Sequence, residues 1–157
     1  MVDVTIGASA PAFDLPRDGG GRVSLAEFRG KPLVLFFYPK DDTSGCTTES
    51  LAFTALADDF EKAGAVVVGM SPDSPVKHDK FIRKHGLSVI LAADEEKSTL
   101  EAYGVWKEKS MYGRKYMGVE RTTFLIAADG TIAQIWEKVK VPGHAEAVLA
   151  AVQNLGQ

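Results

Sequence analysis

The chain has 157 residues and a formal charge of −3, which suits one compact domain over 1–157 and offers no basic patch for phosphate backbones or anionic lipid. Nucleic-acid and membrane partners are therefore not expected, and no apolar run approaches the roughly 20 residues of a spanning helix. Met1 to Gly7 lacks a basic start followed by an apolar stretch, so the expectation is a soluble, cytoplasmic protein. A single cysteine excludes an internal disulfide framework and leaves either a buried structural thiol or a reactive one.

Phe13-Asp14-Leu15 and Arg22-Val23-Ser24 flank a glycine-rich turn and read as a small N-terminal β-hairpin. Pro32 to Tyr38 is a nearly continuous apolar run of strand length, as in a central strand covered on both faces, and Pro39 stops it. From Thr47 to Lys62, Leu51, Phe53, Leu56 and Phe60 recur at roughly helical spacing, with Cys46 at the helix entrance. Ala65 to Met70 predicts a second buried strand, and Ser71-Pro72-Asp73-Ser74-Pro75 starts a helix that runs to His85-Gly86. Ser88 to Leu91 predicts a third strand, and Lys97 to Tyr103 a short helix ended by Gly104. A long polar-aromatic loop is expected next. Arg121–Ala127 and Thr131–Trp136 then read as strands about an Asp129-Gly130 turn, and His144–Leu155 as a final helix after Pro142-Gly143. Alternating strands and helices with a closing hairpin describe an α/β protein: a mixed central sheet flanked by helices, of the thioredoxin-like kind, with an N-terminal hairpin extension.

The segment Pro39-Lys40-Asp41-Asp42-Thr43-Ser44-Gly45-Cys46 joins the first long strand to its helix. Gly45 lets the backbone approach a ligand closely, and Thr43 or Ser44 can cap the helix. A thiolate in the first turn is favoured by the free amides and the positive end of the dipole. A reaction in which that sulfur displaces an oxygen leaving group also needs donors for the departing oxygen. Thr43 can turn its hydroxyl toward the same pocket. Arg121, a charge at the start of an apolar strand, is the arginine hardest to explain as surface decoration.

Pro39-x-x-x-Thr43-x-x-Cys46 resembles the active-site pattern of the peroxiredoxins, and FYPKDDTSGCTTES is similar to the version in their bacterioferritin comigratory protein, or peroxiredoxin Q, subgroup. The likeness extends through Met111-Tyr112-Gly113, Tyr116-Met117-Gly118, Arg121 to Ile126 and Lys138 to His144. It implies that Cys46 is the peroxidatic cysteine, that Thr43 and Arg121 bind and polarise the peroxide, that Pro39 shields the pocket, and that Glu49 orients Thr43 or Arg121. The implied activity is a thiol peroxidase that reduces hydrogen peroxide and organic hydroperoxides through a sulfenic acid and needs no cofactor. Many members carry a second, resolving cysteine five residues after the first or in the next helix. This chain has Leu51 and Ile82 there, so the resemblance implies resolution by an external thiol such as thioredoxin, glutaredoxin with glutathione, or a small thiol, or by Cys46 of a second copy. The expected state is a monomer or weak homodimer.

Taken singly, each residue has a plainer reading. A lone cysteine is most often a small buried apolar residue, Thr43 a turn residue and Glu49 a solvated first-turn acid. His78, His85 and His144 have no metal-ligand spacing. Trp106, Tyr112, Tyr116 and Trp136 read as core or loop packing more readily than as a substrate entrance. The rival to an enzyme is a non-enzymatic redox sensor or binding module in which oxidation of Cys46 alters a surface. A thiol-disulfide oxidoreductase would want Cys-x-x-Cys, and a cysteine phosphatase an arginine soon after Cys46; both are absent.

Overall fold

The computed structural model describes residues 4–155. An N-terminal hairpin pairs β1 (Asp14–Pro16) with β2 (Arg22–Ser24), and a 3₁₀ turn (Leu25–Phe28) follows. Then come β3 (Leu33–Phe37), α1 (Ser44–Ala55), α2 (Ala57–Lys62), β4 (Val66–Ser71), α3 (Pro75–His85), β5 (Ile90–Ala93) and α4 (Ser98–Ala102). The chain closes with β6 (Trp106–Met111), β7 (Arg114–Val119), β8 (Thr122–Ile126), β9 (Ile132–Trp136) and α5 (His144–Leu155). The main sheet has the order β5-β4-β3-β8-β9, parallel among β3, β4 and β5 and antiparallel at β8 and β9. This is the mixed, helix-flanked α/β sheet that the sequence implies.

Strand β3 lies at the centre, and its side chains alternate between two cores. Leu33, Leu35 and Phe37 join Phe13, Val23, Phe28, Leu100, Tyr103 and Val119 on one face. Val34, Phe36 and Tyr38 join Phe53, Phe60, Phe81, Leu125 and Val148 on the other, under α1, α2, α3 and α5. Every residue of β3 is buried, which is why the run from Leu33 to Phe37 is apolar without alternation.

Three elements differ from the sequence expectation. The helix foreseen over Thr47–Lys62 begins earlier, at Ser44, and breaks at Leu56, whose N–H bonds back to the Phe53 carbonyl at 3.2 Å in a tightened turn. Leu51 and Phe53 are two residues apart, about 200° around a helix, so they cannot share a face; Phe53 is buried and Leu51 is 41% exposed. The loop expected between Val105 and Arg121 is instead the hairpin of β6 and β7, turned at Tyr112 and Gly113 with φ of 51° and 77°. Two successive positive φ angles make the turn that a two-residue hairpin favours. The third strand starts two residues later than expected, at Ile90. The aromatic residues divide: Trp106 and Trp136 pack against the cores, whereas Tyr112 is 99% exposed.

Gly69 of β4 fixes the packing beneath the helices. A Cβ there would lie 2.6 Å from Cζ of Phe36 and 2.9 Å from Cδ2 of Leu91, two buried side chains with nowhere to retreat. Gly69→Ala should therefore cost about 1–3 kcal/mol in chemical denaturation, and an unchanged midpoint would show that this strand interface is looser than described.

Candidate active site

Strand β3 ends at Phe37, Pro39 breaks the strand, and the chain turns through Asp41 and Asp42 into α1. Thr43 is the N-cap of α1, in extended conformation (φ −88°, ψ 157°), but its hydroxyl does not cap the helix. It donates instead to the Lys40 carbonyl at 2.9 Å. Cys46 is then the third residue of the helix, a position whose amide has no partner within the helix, so the first-turn amides are left to face an anion. Cys46 itself is 1% exposed and free of any disulfide.

Arg121 enters from the residue just before β8, the strand antiparallel to β3. That pairing carries the far end of the sequence back to the mouth of α1. Its Nη2 donates to Cys46 Sγ at 3.3 Å and its Nη1 to Glu49 Oε1 at 2.6 Å. One planar guanidinium therefore spans the thiol and the carboxylate, a geometry that a lysine cannot reproduce. Gly45 permits it: a Cβ at that position would stand 3.1 Å from Arg121 Nη2.

Glu49, three residues after Cys46 and so one turn along the same face, is 1% exposed. Burial pushes its carboxyl up to about 7, against the pull of Arg121. Its second oxygen, Oε2, has no hydrogen-bond partner among the described residues, nor does the neighbouring hydroxyl of Ser50. Arg121 is held above the ordinary arginine value: burial works against its charge, but the charges of Glu49 and Cys46 outweigh that. The charged state of the fork is secure.

Among the residues expected at the site, Cys46, Arg121, Glu49 and Gly45 are brought together. Thr43 lies one turn before Cys46 but spends its hydroxyl hydrogen on Lys40, and Glu49 binds Arg121 rather than Thr43. Pro39 is half-buried at the end of β3. Of the two places where a resolving cysteine could stand, Leu51 is exposed, whereas Ile82 packs against the core beneath the helices.

Two neighbours escaped the sequence reading. Lys109 of β6 lies within electrostatic range of Arg121: burial first, and then that like charge, pull its ammonium below the ordinary lysine value, with Glu120 and Cys46 pulling the other way. No sequence signal announced it, because the exposed strands of the β6–β7 hairpin that carries it lack a clean apolar alternation. His144, at the start of α5, places Nε2 2.8 Å from Thr123 Oγ1 and packs edge-on against Phe53 and Trp136. Burial, and after it the charge of Arg121, hold its imidazole down to about 4.

The AhpC/TSA family model matches residues 6–135 of this chain. A peroxiredoxin Bcp of Xanthomonas campestris is 47% identical over 98% of this chain and 97% of its own length, and that of Bacillus subtilis is 44% identical over 98% of each. The Xanthomonas campestris bacterioferritin comigratory protein, studied for alkyl peroxide reduction in trapped-intermediate and ligand complexes, superposes with a TM-score of 0.88 at 46% identity over 92% of both chains. A cysteine-to-serine mutant of Xylella fastidiosa PrxQ gives 0.93 at 38% identity over 100% of both. Their fold, the thioredoxin-like fold, is the fold of this chain.

Glu49 and His144 act on stability in opposite directions. Between pH 4.5 and about 7 the unfolded chain has lost a proton that folded Glu49 keeps, so this group makes stability fall as pH rises, by up to about 1.4 kcal/mol per pH unit. Between pH 6.5 and about 4 the unfolded chain takes up a proton that folded His144 refuses, so this group makes stability fall as pH falls. Over the shared window the two slopes oppose. Glu49→Gln removes one of them, and its unfolding free energy should rise with pH across the window more steeply than that of the parent. Identical pH profiles for the two proteins would contradict the shift at Glu49.

Proposed function

Since the chain belongs to the AhpC/TSA family of peroxiredoxins, we propose that it reduces hydroperoxides at Cys46 and returns to the thiol at the expense of an external thiol. The observation that carries this reading is the Arg121 fork, with Nη2 3.3 Å from the sulfur and Nη1 locked on Glu49. Sulfur of Cys46 attacks one peroxide oxygen, the O–O bond breaks, Cys46 is oxidised to a sulfenic acid and the other oxygen leaves as alcohol or water after taking a proton. Charge develops on the departing oxygen, and Arg121 together with the free amides of the first turn of α1 offers donors already in place. Thr43 Oγ1, its hydrogen committed to Lys40, keeps lone pairs to accept from the peroxide O–H and so select which oxygen meets the sulfur.

The second half-reaction sets this chain apart from relatives with two cysteines, because Cys46 is its only one. A thiol from outside attacks the sulfenic acid, water leaves, and a second thiol releases Cys46 from the mixed disulfide. With Cys46 1% exposed, the small peroxide has easier access than a bulky thiol, and pairing with Cys46 of a second copy would require the first turn of α1 to open. We therefore favour a small thiol, or glutaredoxin with glutathione, over a dimeric disulfide, and a monomer or weak homodimer as the working state. The cysteine must begin each cycle reduced, which fits the cytoplasm, where thiols are kept so.

Steady-state peroxide consumption with thioredoxin, glutaredoxin plus glutathione, and small thiols in parallel tests the cycle. At least one reductant should sustain many turnovers, and Cys46→Ser should fall to the uncatalysed background with all of them. One equivalent of peroxide lost with no turnover under any reductant would favour the redox-sensor reading instead. An unchanged rate in Cys46→Ser would remove the cysteine from the reaction altogether.

A further inference from the structure

A buried polar cluster behind the active-site loop has no part in the steps above. Tyr38 Oη donates to Asp41 Oδ1 at 2.6 Å, and His78 Nδ1 lies 2.7 Å from Asp41 Oδ2. The other ring nitrogen of His78 lies 3.0 Å from the Ala92 carbonyl, so both ring nitrogens are engaged and the imidazole is fixed in orientation. The backbone N–H of Asp41 donates to Asp73 Oδ2 at 2.8 Å, and that oxygen also accepts from Ser71 Oγ at 2.7 Å. All five residues are buried, His78 completely. Asp42, the next residue, adopts φ 62° and binds Lys84 Nζ at 2.7 Å and His85 Nε2 at 2.8 Å. His78, Lys84 and His85 all belong to α3, so two consecutive aspartates tie the loop before Cys46 to one helix, one inside the protein and one at its surface.

Stability alone does not account for this cluster. Burying charged and polar groups costs desolvation that their attraction scarcely repays, and well-packed apolar residues of similar volume serve stability as well or better. What such a cluster supplies is a fixed geometry. The peptide it fixes is the one between Lys40 and Asp41, whose carbonyl, on Lys40, receives the Thr43 hydroxyl hydrogen. Anchoring Asp41 at its side chain and its N–H holds that carbonyl still, and the carbonyl decides where the Thr43 lone pairs point.

We propose that Asp41 and His78 are positioning residues for peroxide reduction, which hold Thr43 Oγ1 in its working orientation through the Lys40 carbonyl. The inference rests on the reading that Thr43 receives the peroxide. It assigns α3 a role that the sequence does not announce: the helix is the fixed post from which the loop is hung. Misplacement by about 1 Å of a group that orients a reactant can cost as much as about a hundredfold in rate, so removing the anchor should be felt at the peroxide step and not at the sulfur itself.

The test compares two second-order rates on the reduced protein, oxidation of Cys46 by hydrogen peroxide and its alkylation by iodoacetamide. Alkylation needs the sulfur but no oriented peroxide oxygen, so a merely structural disturbance moves both rates, whereas a positioning defect moves their ratio. Asp41→Asn should lower the peroxide-to-iodoacetamide ratio about tenfold, and Tyr38→Phe, which keeps the ring and removes one donor, at least about threefold. If Asp41→Asn fails to fold, Tyr38→Phe and His78→Gln decide by the same ratio. An unchanged ratio in the folded variants overturns the inference while leaving the peroxidase reading intact. A parent protein whose ratio is no higher than that of a free thiol removes the reading on which the inference rests.

Discussion

The shared guanidinium of Arg121 is the contact around which the rest of the site is arranged. A carboxylate as deeply buried as Glu49 is costly, and its only hydrogen-bonding partner among the described residues is Nη1 of Arg121, 2.6 Å away. The same cation reaches the sulfur with its other amino group. Glu49 therefore does not touch Cys46, but it fixes the plane and direction of the group that does. Lys109 and His144 are both shifted first by burial and then by the charge of Arg121, so that charge is felt beyond the two groups it touches.

The fold delivers these groups from distant parts of the sequence. Strand β3 runs through the middle of the sheet and hands the chain to α1 at its C-terminal end, where Cys46 takes the third helical position. Strand β8 runs antiparallel to β3, with Phe37 opposite Thr122, so the residue before β8 arrives at that same end of the sheet. Residues 75 positions apart thus meet as a consequence of register. Gly45 leaves the space in which they meet, and Gly69 does the same service for the core below, where Phe36 and Leu91 close over β4.

Much of this was legible in the sequence, for physical reasons. The apolar run of β3 has one reading because both its faces are covered, and Cys46 after Pro39 and Gly45 marks a strand-to-helix corner. Arg121 stood out because a charge heading an apolar strand needs a partner. The hairpin of β6 and β7 was not legible: its strands are largely solvent-exposed, so they carry no clean alternation, and its turn uses a tyrosine at positive φ where asparagine or glycine is the usual mark. The role of Glu49 was read only as a choice between two partners, because a side chain three residues after Cys46 can reach either. The Tyr38–Asp41–His78 cluster was missed since its members are spread over forty positions and each alone has an ordinary explanation. Leu51 shows the reverse error, an apolar residue counted toward a buried face that the helical angle places on the outside.

The two-handed contact of Arg121, to the sulfur and to Glu49, is the central feature of the site. Single-turnover oxidation of Cys46 by hydrogen peroxide in Arg121→Lys is its most direct test, since lysine keeps a positive charge but cannot hold Glu49 and the sulfur at once. The fork account requires a loss of roughly 10²-fold or more in the second-order rate, the scale of removing one preorganised donor, with the protein still folded. A folded Arg121→Lys that oxidises at the parent rate would mean that charge alone suffices and that the fork is not what makes this cysteine reactive.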